Sequence, residues 1–198
     1  VDCLPTTTEA LPEDEFKGLM SYIDSLPPTL MNLRDRAIIK TLFGVIIRNK
    51  AFINLKGKSF YAVGDRFRLK YIDKGDRIFE ETLHPNTANA IIEYLQAMKN
   101  EGCDVLEADP LFRPIHNGSG NNIINFESNG ENNLVKHFSV NQITNILRRH
   151  CKRAKIGDWV TSHTAKATVT SEIVERHGVH MAQRKTKHKR TDQVIAYY

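Results

Sequence analysis

The hydrophobic period of this chain changes twice, and that change restricts the fold more than any other feature. In LRDRAIIKTLFGVII, residues 33–47, apolar residues recur at helical spacing in a strongly apolar helix. In DRFRLKYID, residues 65–73, the pattern alternates: Phe67, Leu69 and Tyr71 fall on one face and Arg66, Arg68 and Lys70 on the other. A turn, DKGD, and a second strand, RIFEETL, complete a basic β-hairpin. HPNTANAIIEYLQAMKNEG then returns to the helical period, with Pro85 or Asn86 near its start and Gly102 just past its end. The expected fold is mixed, mainly α, with a small antiparallel hairpin or sheet.

The remaining segments fit that scheme. VDCLPTTTEALPEDEF reads as a linker entering a helix, with Pro12 at the first helical position, acids in the first turn, and Phe16, Leu19, Met20 and Ile23 as the apolar face. SLPPT ends that helix, and NKAFINLKGK is a short helix finishing near Gly57. Ile115 to Asn133 is rich in Asn, Gly and Ser, which predicts a long mobile surface loop. SVNQITNILRRHCKRAKIG is an amphipathic helix capped by Ser139, SHTAKATVTSEIVERHG a helix stopped by Gly178, and DQVIAYY the start of a last short one.

With 198 residues, 40% of them hydrophobic, the chain is long enough to bury a core and is expected to form one domain, with residues 1–12 a linker and 13–198 the folded unit. It begins at Val1, as a fragment of a longer protein would. No apolar run is long enough to span a bilayer and no signal-peptide pattern opens the chain, so no membrane partner is expected. Its 3 cysteines, Cys3, Cys103 and Cys151, are odd in number and far apart, which argues against a disulfide framework. Cys151 with His150, His163 or His188 lacks the paired spacing of a zinc site, so no metal is expected.

The net charge of +5 is unevenly spread. Bases crowd the segment from Arg148 to Arg190, including Arg149, Lys152, Arg153, Lys187 and Lys189, whereas the first residues are acidic. Such a distribution is the electrostatic footprint of a protein that meets a polyanion, most commonly nucleic acid.

Several residues stand where chemistry is feasible. Arg48 lies between two helices, where a guanidinium emerges from the edge of the core with its fork ready for phosphate oxygens. Lys74 is at the hairpin tip, His163 and Lys166 share a helical face, and His188 and Tyr197 flank a short segment that can fold them together. In this order they resemble the catalytic half of the tyrosine recombinases, the phage integrase family. LRDRAIIKTLFGVIIRNKAFINLKGKSF resembles that family's first box, YIDKGDRIFEETLHP its lysine hairpin, the segment from Ser139 to Val179 its second box, and KHKRTDQVIAYY its closing box. The resemblance runs from about Leu11 to the end of the sequence.

The resemblance implies the tyrosine-recombinase catalytic-domain fold and a DNA strand-exchange activity without metal or other cofactor. Arg48 would clamp the scissile phosphate, Lys74 protonate the leaving 5′-oxygen, His163 assist proton transfer at the tyrosine, Lys166 stand in a second arginine's place, and His188 donate a hydrogen bond to the phosphate. Tyr197 would attack to give a 3′-phosphotyrosyl intermediate. Lys70 is the rival to Lys74, and Tyr198 to Tyr197. Lys70, Arg148, Arg149, Lys152, Arg153, Lys187 and Lys189 would bind DNA. The implied partners are duplex DNA and further recombinase subunits in a tetrameric synapse, with an N-terminal DNA-binding domain outside this sequence. The implied location is cytoplasmic and nucleoid-associated, or nuclear in a eukaryotic host. The sequence departs from the family pattern at Lys166, at Ala51 where an acid is usual, and at Lys187 where glycine is usual. The Lys166 departure raises a second reading, a catalytically weakened DNA-binding relative with a regulatory or architectural role.

Overall fold

The computed structural model describes residues 9–73, 75–115, 137–186 and 194. Lys74, Lys187, His188, Lys189, Tyr197, Tyr198 and nearly all of the Asn-rich segment lie outside that set. Among the described residues there are seven α-helices and one antiparallel three-stranded sheet.

Helix α1 (Glu13–Ser25) begins one residue later than expected: Pro12 is its N-cap, and Glu13, Asp14 and Glu15 place negative charge against the helix N-terminus. Leu19 and Ile23 are its fully buried residues. Arg36 of the next helix finishes α1 by donating to the carbonyls of Ile23 (3.1 Å) and Leu26 (3.2 Å), while its Nη1 reaches the distant Glu93 at 3.2 Å.

Helix α2 (Leu30–Gly44) starts where the Thr29 side chain accepts from the amide of Asn32. It stops at Gly44, one turn short of the expected end. Val45 is extended, and Val45 and Ile47 insert into the core at 2% and 4% exposure, so burial rather than helical continuation takes these apolar side chains. The helix carries Ala37, Ile38, Ile39, Leu42 and Phe43 into the interior and packs chiefly on α4 (Pro85–Asn100) and then on α6 (Ser162–His177).

The short helix α3 (Asn49–Ile53) ends a turn before Gly57. From Leu55 the chain pairs with the segment before Arg113 instead: the Leu111 amide donates to the Leu55 carbonyl at 2.8 Å, and the Gly57 amide to the Asp109 carbonyl at 2.9 Å. Phe52 stacks on Phe112 across this junction, ring centroids 5.3 Å apart.

The hairpin is present with its expected alternation, but a third strand precedes it. β1 (Phe60–Val63) pairs with β2 (Arg66–Asp73), which pairs with β3 (Arg77–Thr82), giving the order β1-β2-β3. The turn at Gly64, with φ of 60°, makes the first connection. Register places Lys70 opposite Glu80 and Tyr71 opposite Phe79. Leu69 and Tyr71 are buried, as the alternation requires, while Lys70 and Ile72 face outward.

Helix α5 (Val140–Arg153) has the expected Ser139 cap, extended to a box in which Gln142 bonds back to the Ser139 amide at 2.8 Å. Its inner face, Ile143, Ile146, Leu147 and Cys151, joins the main core. Helix α6 is capped by Thr161 and ends at Gly178, whose φ of 81° suits glycine alone. A further helix that the sequence reading did not separate, α7 (Val179–Thr186), packs back on α6 through Ala182 against Val174.

One polar cluster crosses this core. Arg34 and Asp35, 4% and 1% exposed, bond to each other at 2.7 Å, and Asp35 also receives His150 at 2.9 Å and Arg149 at 2.5 Å from α5. Burial pushes the Asp35 carboxyl up, but the hydrogen bond with His150 and the Arg34 guanidinium outweigh it and hold the acid below its usual range.

Candidate active site

A cleft of about 1260 Å³ opens between the start of α3, the β2–β3 hairpin and the first turns of α6. Each wall follows from local sequence. Arg48 is the N-cap of α3 and is extended, with φ of −78° and ψ of 150°. Ile47 before it and Ala51 and Phe52 after it are buried, so the backbone on both sides is anchored while the guanidinium leans into the cleft, half exposed. Its Nη1 donates to Asp73 Oδ2 at the end of β2.

Helix α6 contributes His163 and Lys166 from one face, both lining the cleft. His163 is exposed. Lys166 is only 9% exposed. Burial pushes its ammonium pKa down, the nearby Arg48 pushes in the same direction, and Asp73 opposes them. Arg48, Asp73 and Lys166 therefore form one electrostatic group, although 118 positions separate the two cations in sequence, from 48 to 166.

Lys70 lines the cleft from the outer face of β2. The other hairpin lysine, Lys74, and the residues His188, Tyr197, Tyr198, Lys187 and Lys189 lie outside the described residues. The α5 bases do not line this cleft: Arg148, Lys152 and Arg153 are exposed elsewhere on the surface, and Arg149 turns its guanidinium to Asp35.

Lys50, Lys56 and Lys58 also line the cleft, as do Asn49 and Asp73, and none of them was singled out from the sequence. The basic run NKAFINLKGKS held the signal for the lysines. For Asp73 the signal was strand parity, because it shares the inward face with Leu69 and Tyr71. Cations outnumber Asp73 and Asp76 along the lining, so the cleft attracts anions.

The fold has counterparts among solved structures. The chain has the catalytic-domain fold of the tyrosine recombinases. No family model and no curated protein sequence matches it. Among solved structures, it superposes on XerH site-specific recombinase bound to palindromic difH substrate in a post-cleavage complex, with a TM-score of 0.70 and 16% identity over 97% of this chain and 50% of that one. XerA recombinase gives a TM-score of 0.69 at 20% identity, over 97% of this chain and 60% of that one. The Tn1549 transposon integrase, in complex with circular intermediate DNA, gives 0.59 at 13% identity, over 100% of this chain and 62% of that one. This chain thus spans between half and about five-eighths of the length of these solved chains. No helix among the described residues is long and apolar enough to cross a membrane.

Proposed function

We propose that this chain is the catalytic part of a site-specific DNA recombinase or integrase of a phage or other mobile element, with residues 13–198 as the strand-exchange unit. The observation that carries this reading is the cleft that brings Arg48, His163 and Lys166 onto the walls of a single cavity within a recombinase fold. A phosphodiester seated there would have its non-bridging oxygens held by Arg48 and Lys166, with His188 as a further donor. Fixed cations of this kind stabilise charge that develops on phosphate oxygens as an attacking group arrives. The Tyr197 hydroxyl oxygen would form the new bond to phosphorus, losing its proton with help from His163. The bond to the 5′-oxygen would break, and Lys74 would give that oxygen a proton. Because the product is a phosphotyrosyl ester, a 5′-hydroxyl of another strand can reverse the step without an external energy source. Duplex DNA and further copies of the protein on paired sites are the proposed partners, with Lys70 and the exposed bases Arg148, Lys152 and Arg153 contacting phosphates.

Lys166 favours a second reading, DNA binding without efficient cleavage. A lysine lacks the planar two-pronged grip of arginine, and this one is held in a setting that disfavours its charge. A nicked duplex that traps the covalent intermediate separates the two. The expected result is a covalent protein–DNA adduct that Tyr197→Phe abolishes while duplex affinity is kept. An adduct that survives Tyr197→Phe and disappears with Tyr198→Phe moves the nucleophile by one residue, and no adduct from the unaltered chain favours the binding-only reading.

A further inference from the structure

Arg48 is half exposed, and a long exposed arginine ordinarily samples many rotamers and loses side-chain entropy when it is fixed. Here a carboxylate meets it. Asp73 is the last residue of β2, its side chain is 13% exposed, and it accepts from Arg48 Nη1. The carboxylate does not arrive by chance of rotamer. Asp73 shares the inward parity of Leu69 and Tyr71, and the Tyr71 hydroxyl shares its one proton between Glu81 at 2.8 Å and, more weakly, the Ile46 carbonyl at 3.3 Å. That second bond ties β2 to the segment carrying Arg48, so strand and guanidinium are held in a common frame. Ala51, on the first turn after Arg48, is buried and offers no alternative acid.

We infer that Asp73 is a positioning residue for the phosphate-binding cleft: it fixes one edge of the Arg48 guanidinium so that the remaining N–H donors point at the ligand. This inference rests on the recombinase reading above. A guanidinium has five donors, and Asp73 uses one nitrogen, which leaves a fork for a phosphate. The same carboxylate offsets the mutual repulsion of Arg48 and Lys166, two cations that share this wall. A misplacement of about 1 Å in such a clamp typically lowers the rate about 100-fold.

The test compares the unaltered chain with Asp73→Asn and Asp73→Glu. Restricted rotation of the Arg48 guanidinium, read from its side-chain nitrogen resonances, is expected in the unaltered chain, lost in Asp73→Asn and altered in Asp73→Glu. Single-turnover adduct formation on a nicked duplex should fall about 10- to 100-fold in Asp73→Asn, with duplex affinity by fluorescence anisotropy unchanged or tighter, because a negative charge has left a phosphate site. A merely structural role would lower affinity and thermal stability together with the rate. Unrestricted Arg48 resonances in the unaltered chain, or cleavage that rises in Asp73→Asn, overturn the inference. If the unaltered chain forms no adduct, the recombinase reading fails, and the Arg48 resonances still decide whether Asp73 restrains the guanidinium. If Asp73→Asn does not fold, the resonances of Asp73→Glu decide the same point.

Discussion

Replacing Asp35 by asparagine preserves the side-chain shape and removes the one negative charge in the cluster formed by Arg34, Arg149 and His150. The two arginines then differ. Arg149, with 41% of its side chain exposed, can turn into water, but Arg34, at 4%, cannot, and its charge is left uncompensated in the core. Removing one partner of a buried ion pair costs about 3–5 kcal/mol. For a chain of 198 residues that corresponds to a fall in melting temperature of about 6–20 °C. Urea unfolding followed by circular dichroism measures it directly, as a lower midpoint at unchanged slope. The effect also has a pH signature. The Asp35 carboxyl is held below its free value of 3.8, so its contribution is complete above that pH and is lost as pH falls through the lower, folded-state value. The stability gap between the two proteins should therefore close in strong acid. The double variant Arg34→Met with Asp35→Asn should recover much of the loss, because the apolar replacement keeps contact with Phe138, over whose ring the Arg34 guanidinium now lies at 5.3 Å. A loss below about 1 kcal/mol in Asp35→Asn would refute the argument, since it would mean that the cluster is solvated in the native protein.

Lys166→Arg should raise the cleavage rate and move the alkaline limb of the pH–rate profile upward, because burial and Arg48 lower the lysine pKa and arginine keeps its charge; a large loss of cleavage would show that the cleft is shaped to lysine. Gly57→Ala should destabilise by about 1–3 kcal/mol in urea unfolding, since a Cβ there would clash with the Leu106 carbonyl oxygen, and a neutral result would show that the Leu106 segment can move.

Much of the fold was legible because its determinants are local. Period fixes which residues share a face, so the alternation at 65–73 anticipated a strand with Leu69 and Tyr71 inside, and Ser139 marked a helix start as a cap. Local pattern failed where burial overrode it. Val45 and Ile47 continue a helical apolar pattern, yet they leave the helix because extended backbone carries them deeper into the core. β1 was missed because FYAV is short, and what makes it a strand is the edge of β2 beside it.

The sequence by itself determined most of the helices, the β2–β3 hairpin and the basic character of the chain, since these depend on neighbours within a few positions and on side-chain chemistry. Only the tertiary structure decided that Asp73, rather than a residue near Arg48 in sequence, holds that guanidinium, that Lys166 is buried while His163 is exposed, and that Arg149 serves the core and not the cleft. Those outcomes depend on which surfaces meet across separations of 25 to 115 residues. The free energy of a charged group is set by the partners and the solvent around it after folding, and a spacing along the chain does not contain that information.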